Sequence, residues 1–312
     1  MQKIKEFLEA TPYEDYKIEV ASSDASFRRY FRLNKDDETL ILMDSSLEKN
    51  SLKPFIEITD LLRGVGSHAP EIIYEDTQKG FLIIEDLGSD NLLDHLNTDS
   101  FKSLYKKCID EIITMQKIDA SSLPLYDETF LKFEMNLMPE WFLDKYLKKE
   151  LDDNEIKIID DSLDLIAKKV LSHPQGVFVH RDFHSRNIMN CEPLGIIDYQ
   201  DAMNGSIVYD LVSLLKDFYV QFDAKDMEDL ALYFKEQKGL KVSDKEFIEW
   251  FDYMGLQRQL KVLGIFARLY LRDGKDGYLK DLPLTLEYTL LSCKKYPELD
   301  ELYKLLSKVV LP

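Results

Sequence analysis

Apolar and polar positions alternate with a period of two over Tyr16 to Ala21 and Phe27 to Leu33, so both stretches read as strands. Leu40 to Met43, Ile72 to Tyr74 and Phe81 to Ile84 are short apolar runs of strand length, the last two paired around a polar turn. Lys53 to Arg63 interrupts them with a helical pattern that puts Phe55, Ile58 and Leu62 on one side. Beyond Glu85-Asp86-Leu87-Gly88 the period changes. Phe101, Leu104, Tyr105, Cys108, Ile109, Ile112 and Ile113 recur at helical spacing. Ile156, Ile159, Leu163, Ile166 and Val170 do the same up to His173-Pro174, where proline ends the helix. Val177 to Val179 and Gly195 to Ile197 are apolar runs that each stop at a cluster of polar side chains, as buried strands delivering groups to a site do. Further helices are expected from about Tyr209, Met227, Asp244 and Leu284. The pattern predicts an α+β fold, with a small, mostly antiparallel-sheet lobe over residues 1–86 and a large, mainly helical lobe over 87–312.

Composition narrows the functional classes. The 312 residues carry 58 acidic and 40 basic side chains, a formal charge of -18, which argues against a nucleic-acid or anionic-membrane binder. The amino-terminal stretch is charged and amphipathic, without the apolar core of a signal peptide, and no run approaches a membrane span. Cys108, Cys191 and Cys293 are odd in number and scattered, which speaks against a disulfide framework or a structural zinc site. A cytoplasmic protein, monomeric or weakly oligomeric, with no membrane and no nucleic-acid partner, is the expectation.

The chemistry concentrates between Val177 and Asp210. His180, Asp182 and Asn187 have the His-x-Asp-x-x-x-x-Asn spacing of a kinase catalytic loop, and Asp198 follows eleven residues after Asn187. Such a set supplies one carboxylate to orient a hydroxyl and an amide plus a carboxylate to hold Mg2+ on ATP. His180-x-Asp182-x-His184 also has metal-ligand spacing, so a zinc or iron hydrolase is a rival reading; it requires further histidines, and only His68, His95 and His173 remain. Asp210 opens a helix, either as an N-cap or as an acceptor for backbone N–H groups of the loop. In the small lobe, Ser22 to Ser26, with Ser23 and Asp24, suits a tight turn over phosphates. The run Leu40 to Asp44 lacks the lysine that kinases place there, and Arg28 or Arg29 is the candidate replacement; solvated arginines are the plain alternative. Farther on, Arg258, Lys261, Arg268 and Arg272 fall within an arc of about 80° on one helix. Leu256, Leu260, Leu263, Ala267 and Tyr270 then form its core stripe. The basic arc reads as a solvated face or as an anion-binding wall. Trp141 is a core residue or a platform for a sugar ring.

With these residues in place, the chain resembles the aminoglycoside phosphotransferase family, across both lobes. Asp24-Ala-Ser-Phe-Arg-Arg-Tyr, Glu85-Asp-Leu-Gly, His180-Arg-Asp-Phe-His-Ser-Arg-Asn, Ile197-Asp-Tyr-Gln-Asp-Ala, Tyr209-Asp-Leu-Val and the stretch from Gly255 look most like the branch of bacterial anomeric kinases for N-acetylmuramate and N-acetylglucosamine. The resemblance implies a bilobal protein-kinase-like fold and transfer of the ATP γ-phosphate to the anomeric hydroxyl of an amino sugar. It implies Asp182 as catalytic base, Asn187 and Asp198 as metal ligands, and the backbone from Glu85 to Leu87 at the adenine, and it leaves the phosphate-binding residue open; Ser23, Asp24, Arg28 and Arg29 are the candidates there from the residues themselves. His184, Arg186, Gln200, Asp201, Arg258 and Arg268 are the candidates on the sugar side, with His180 and Asp210 as structural support. An aminoglycoside, choline or another hydroxyl metabolite is the alternative acceptor, and a nucleotide-binding pseudokinase is the non-enzymatic alternative.

Overall fold

The computed structural model describes residues 2–22 and 28–311, which divide into two compact units. The first comprises Met1–Asp94 and Arg186–Asp201. Its strands β1 (Lys17–Ser22), β2 (Arg29–Lys35), β3 (Glu38–Asp44), β4 (Ile72–Asp76) and β5 (Phe81–Glu85) form one antiparallel sheet in the order β1-β2-β3-β5-β4. Register sets which side chains share a face: Phe31 lies opposite Leu42 and Leu33 opposite Leu40. These four close a core with Ile83, Phe81 and the helix α1 (Gln2–Leu8), whose Phe7 ring stacks on Phe81 at 4.6 Å. Helix α2 (Leu52–Gly64) buries Phe55, Ile58 and Leu62, the face its spacing predicts. The segment 186–201 belongs with this unit because β7 (Ile188–Met189) and β8 (Gly195–Ile196) form a hairpin whose Ile196 N–H donates to His68 O, 2.9 Å. A boundary read from composition is a single cut, whereas packing takes this later segment back to the first unit.

The second unit comprises His95–Ser185 and Ala202–Pro312. It contains the helices α3 (Phe101–Met115), α4 (Glu128–Met135), α5 (Asp153–Leu171), α6 (Tyr209–Leu215), α7 (Ala224–Gln237), α8 (Asp244–Asp273), α9 (Leu282–Lys295) and α10 (Asp300–Leu306). It also contains the two-stranded pair β6 (Val177–Val179) and β9 (Met203–Gly205), and a π-helical segment over Met138–Tyr146. No described helix is long and apolar enough to cross a membrane.

Helix α8 organises this unit. It starts at Ser243, whose hydroxyl accepts from Glu246 N–H at 3.1 Å, and stops at Gly274 in the left-handed region, φ 67°. At 30 residues it is about 45 Å long. Two expectations for it are corrected. Arg258 and Lys261 are buried, at 2% and 5% exposure, so that half of the basic arc is not a solvated face, whereas Arg272 is exposed. Tyr270, placed on the core stripe by spacing, is 39% exposed because it lies near the end of the helix, beyond its enclosed middle. From Trp250 to Gly264 the helix is enclosed on all sides, and a helix surrounded by others shows no single apolar stripe. Ile156, at 44% exposure in the first turns of α5, likewise leaves its predicted stripe.

Leu137, the N-cap of the π-helical segment, lies tight against α8 at Gly264, where a Cβ would collide with the carbonyl group and Cβ of Leu137. Gly264→Ala is therefore expected to lower stability by at least about 2 kcal/mol, since neither backbone can yield independently. Denaturant midpoints of the two proteins measure it, and an unchanged midpoint would show that the helices separate at no cost.

Candidate active site

The loop that follows β6 has few regular partners for its backbone, and two buried carboxylates supply them. Asp210, in the first turn of α6 and 1% exposed, accepts from His180 N–H at 2.8 Å and Arg181 N–H at 3.0 Å. Arg181 sits at φ 78°, a conformation costly to a residue with a side chain. Those two bonds lie where the backbone is strained. Asp217, just beyond the other end of α6, is also 1% exposed and accepts from Ser185 N–H at 3.0 Å and from Ser185 Oγ at 2.5 Å. The loop from His180 to Ser185 is thus held at both ends from one short helix. Burial pushes the Asp210 carboxyl up to about 7, against the two N–H donors and Arg258. His180 is 1% exposed and its Nδ1 lies 3.3 Å from Asp182 N, so its part is internal.

Asp182, mid-loop, keeps its side chain 41% exposed. Behind it α8 presents two cations one turn apart. The Arg258 guanidinium lies 3.6 Å from Asp182 Oδ1 and donates to Arg181 O at 3.4 Å. Lys261 Nζ pairs with Glu134 Oε1 at 2.9 Å, and Arg181 Nη2 reaches the same oxygen at 2.7 Å. Glu134 is buried; Tyr126 OH and Gln257 Nε2, the latter at 3.2 Å, donate to its other oxygen. Burial raises the carboxyl of Asp182, but Lys261, Arg258, His184 and Arg181 outweigh it and hold the group far below the ordinary carboxylate range. Glu134 is likewise raised by burial and lowered further by Lys261 and Arg181, ending below its ordinary value. The arrangement keeps a partly exposed carboxylate ionised on a strained, tightly held loop.

The remaining central residues gather in the first unit. Asn187 immediately precedes β7 and Asp198 follows β8 by one residue, and Ile197 N–H donates to Asn187 O at 3.1 Å to close the hairpin's open end. The hairpin thereby brings Asn187 Nδ2 within 3.3 Å of Asp198 Oδ2. Asp198 has φ 65°, a second strained non-glycine position. Tyr199 anchors this turn: its ring stacks on Phe55 at 5.2 Å and its hydroxyl meets Thr59 Oγ1 at 2.7 Å. Gln200 Nε2 lies 3.0 Å from Asp198 Oδ1 and 3.3 Å from Asp201 Oδ2. One amide oxygen and one carboxylate are hard oxygen donors that suit Mg2+, whose other positions water and phosphate commonly fill. Among the described residues no three His, Cys, Asp or Glu side chains gather as a metal cage, so the hydrolase reading lacks its ligands.

Glu85 and Leu87 lie on a connector fastened within the first unit. Arg32 Nε and Nη2 grip Asp86 at 2.6 and 3.0 Å, and Arg32 Nη2 also donates to Gly88 O at 3.0 Å. Glu85 Oε1 meets His68 Nε2 at 3.1 Å and Glu85 Oε2 accepts from Glu71 N–H at 3.1 Å. Leu87 packs on β8, where a Cβ at Gly195 would meet Leu87 Cδ1 at 2.7 Å. Arg29 is ion-paired with buried Asp44, its register partner on β3. The phosphate turn with Ser23 and Asp24 lies outside the described residues. His184 rests edge-on against the Tyr219 ring, 5.2 Å between centroids. Arg268 is ten residues from Arg258, about 15 Å along the helix axis. Trp141 is half-buried with the Lys145 ammonium 3.8 Å from its ring centroid.

Sequence reasoning missed Asp217, Glu134, Tyr126 and Gln257. Lys261 carried a signal, as a cation aligned with Arg258, but the enclosure of α8 was not visible in its spacing.

A five-stranded antiparallel sheet ahead of a mainly helical unit that carries this loop is the protein-kinase-like fold. The chain belongs to the phosphotransferase enzyme family, whose family model matches residues 17–242, and it is an enzyme that transfers phosphate. It is 40% identical over 296 residues to the N-acetylmuramate/N-acetylglucosamine kinase of Pseudomonas aeruginosa, covering 93% of this chain and 87% of that protein. A protein of the same name from Neisseria meningitidis is 37% identical, covering 99% and 95%. Among solved structures, ADP-bound aminoglycoside phosphotransferase APH(2'')-Ib superposes with a TM-score of 0.63 at 14% identity, over 92% of this chain and 97% of that one.

Lys261→Met tests the electrostatics. Removing the cation is expected to raise the Asp182 pKa toward its ordinary 3.8, readable by carbon-13 NMR titration of the carboxyl. The stability that the depressed Asp182 and Glu134 carboxylates contribute is present above their unfolded values and lost as pH falls through the folded ones, so the variant should lose part of this acid-side dependence. Breaking the buried pair should also cost about 3–5 kcal/mol at neutral pH. An Asp182 titration unmoved in the variant would remove Lys261 from the set that holds it.

Proposed function

We propose that this chain transfers the γ-phosphoryl group of ATP to the anomeric hydroxyl of N-acetylmuramate and N-acetylglucosamine, giving the sugar 1-phosphate. The observation that carries the reading is Asp182, a carboxylate kept ionised by Arg258 and Lys261 on a loop clamped at both ends, in a chain 40% identical to an N-acetylmuramate/N-acetylglucosamine kinase. A new bond forms between the anomeric oxygen and the γ-phosphorus as the bond to the β-phosphate oxygen breaks. The hydroxyl proton passes to Asp182, and ADP leaves. A carboxylate of such low basicity orients the hydroxyl first and receives its proton late, which suits a loose transition state with little nucleophile activation.

Asn187 and Asp198 would hold Mg2+, which when bound offsets the phosphate charge. The backbone from Glu85 to Leu87 meets the adenine, and Ser23, Asp24 and Arg28 meet the phosphates. Arg29 is engaged with Asp44 through Nη2, which leaves the rest of its guanidinium to join them. On the sugar side we assign His184, Arg186, Gln200 and Asp201. Arg258, 3% exposed at its side chain, serves Asp182 instead of contacting the sugar. Arg268 remains a candidate for the lactyl carboxylate of N-acetylmuramate only if the sugar lies along α8. The domain roles follow: residues 1–86 form the nucleotide-binding lobe and 87–312 supply the catalytic and substrate-binding groups.

ATP consumption with each sugar, and phosphorus NMR of the product, test the reading. Phosphate at the anomeric position is expected, with Asp182→Asn slower by about 10²–10⁴-fold. Transfer to aminoglycosides or choline but to neither sugar would replace the acceptor, and a fully active Asp182→Asn would remove the proposed base.

A further inference from the structure

The grip on Ser185 reaches beyond that one residue. Asp217 Oδ2 accepts both the N–H and the hydroxyl of Ser185, and Asp217 Oδ1 accepts from Tyr219 N–H at 3.0 Å. Ser185 is fully buried and opens the 3-10 turn Ser185–Asn187, so its orientation sets the direction in which the chain leaves toward Asn187. Its other neighbour, His184, has its ring against Tyr219, the residue whose backbone Asp217 holds. One carboxylate therefore fixes the backbone on either side of the His184–Tyr219 contact. The buried charge is faced by Arg258, whose guanidinium feels both Asp217 and Asp182. The hydroxyls of Tyr105 and Tyr288, from α3 and α9, also face it. Arg258 thus opposes the Asp217 charge, and two of the carboxylate's three described hydrogen bonds come from Ser185 of the loop.

We infer that Asp217 is a positioning residue of the phosphotransferase. Acting through Ser185, it aims Asn187 for the metal–nucleotide complex and holds the far end of the loop that carries Asp182. The inference deepens the reading given above and rests on its assignment of Asp182 and Asn187.

Two variants separate this role from simple support of the fold. Asp217→Asn replaces one acceptor by an amide donor facing donors, and Ser185→Ala removes one hydrogen bond while leaving the N–H in place. With both folded at the assay temperature, kcat is expected to fall about 100-fold in Asp217→Asn and about tenfold in Ser185→Ala, the latter being the usual effect of one bond to a charged group. The double variant should be no slower than Asp217→Asn, since residues acting as a unit are not additive. Calorimetric titration of ATP adds a readout that needs no acceptor. The gain in ATP affinity on adding Mg2+ should shrink about tenfold in Asp217→Asn, while affinity without Mg2+ stays as in wild type. A lowered thermal midpoint with wild-type kcat and an intact Mg2+ gain would overturn the inference, as would single effects that multiply in the double variant. If Asn187→Ala leaves the Mg2+ gain intact, the metal assignment fails instead, and the kcat cycle alone decides on Asp217. If wild type phosphorylates neither sugar, the proposed function fails while the ATP titration still judges Asp217.

Discussion

Two buried carboxylates gripping one loop are the constraint on which the second unit depends. A loop leaving a three-residue strand has backbone N–H groups with no ladder to join, and burying them unpaired would cost about as much as a lost hydrogen bond each. Asp210 and Asp217 meet that demand from the two ends of α6. Asp210 also holds Arg181 in a conformation that its side chain disfavours. Because one acceptor lies in the first turn of α6 and the other two residues past its end, a shift of the loop is tied to a shift of α6. Its packing on α8 thereby places Asp182 against the cations of that helix.

The cations then do for Asp182 what solvent would do poorly. Arg258 and Lys261 lie in the enclosed part of α8, where charges interact more strongly than in water and where leaving either unpaired would be expensive. Glu134 balances Lys261 and Arg181, and its own oxygens are met by Tyr126 and Gln257. Glu134 is met on both oxygens, the condition under which buried charge specifies a geometry, while Arg258 Nε and Nη1 and Gln257 Oε1 are buried without a hydrogen-bond partner among the described residues. In the first unit the hairpin of β7 and β8 performs the corresponding task with backbone alone, bringing Asn187 to Asp198.

Much of this was legible in the sequence, and the boundary of legibility is physical. Short runs such as Val177 to Val179 and Phe81 to Ile84 announced strands because period and length are local properties. The spacing from His180 to Asp198 announced its chemistry because the loop and hairpin are contiguous in sequence. Arg258 and Lys261 were seen as aligned, either a solvated face or an anion-binding wall, since spacing reports which residues align but not what covers them. Glu134 and Gln257, 123 residues apart, meet only through folding, and Asp217 gave no motif to mark it among many acids.

The burial of those cations has a consequence for the exterior. Arg181, Arg258 and Lys261 are matched inside by Glu134, Asp210 and Asp217, so the site's cations add little to the outer field and solvent meets a molecule whose formal charge stays at -18. An anionic nucleotide or a sugar acid approaching from bulk solution therefore travels uphill in the long-range field until close-range donors take over. Dissolved salt shortens that field to about 8 Å at physiological strength, so capture of such ligands should quicken, not slow, as ionic strength rises from very low values.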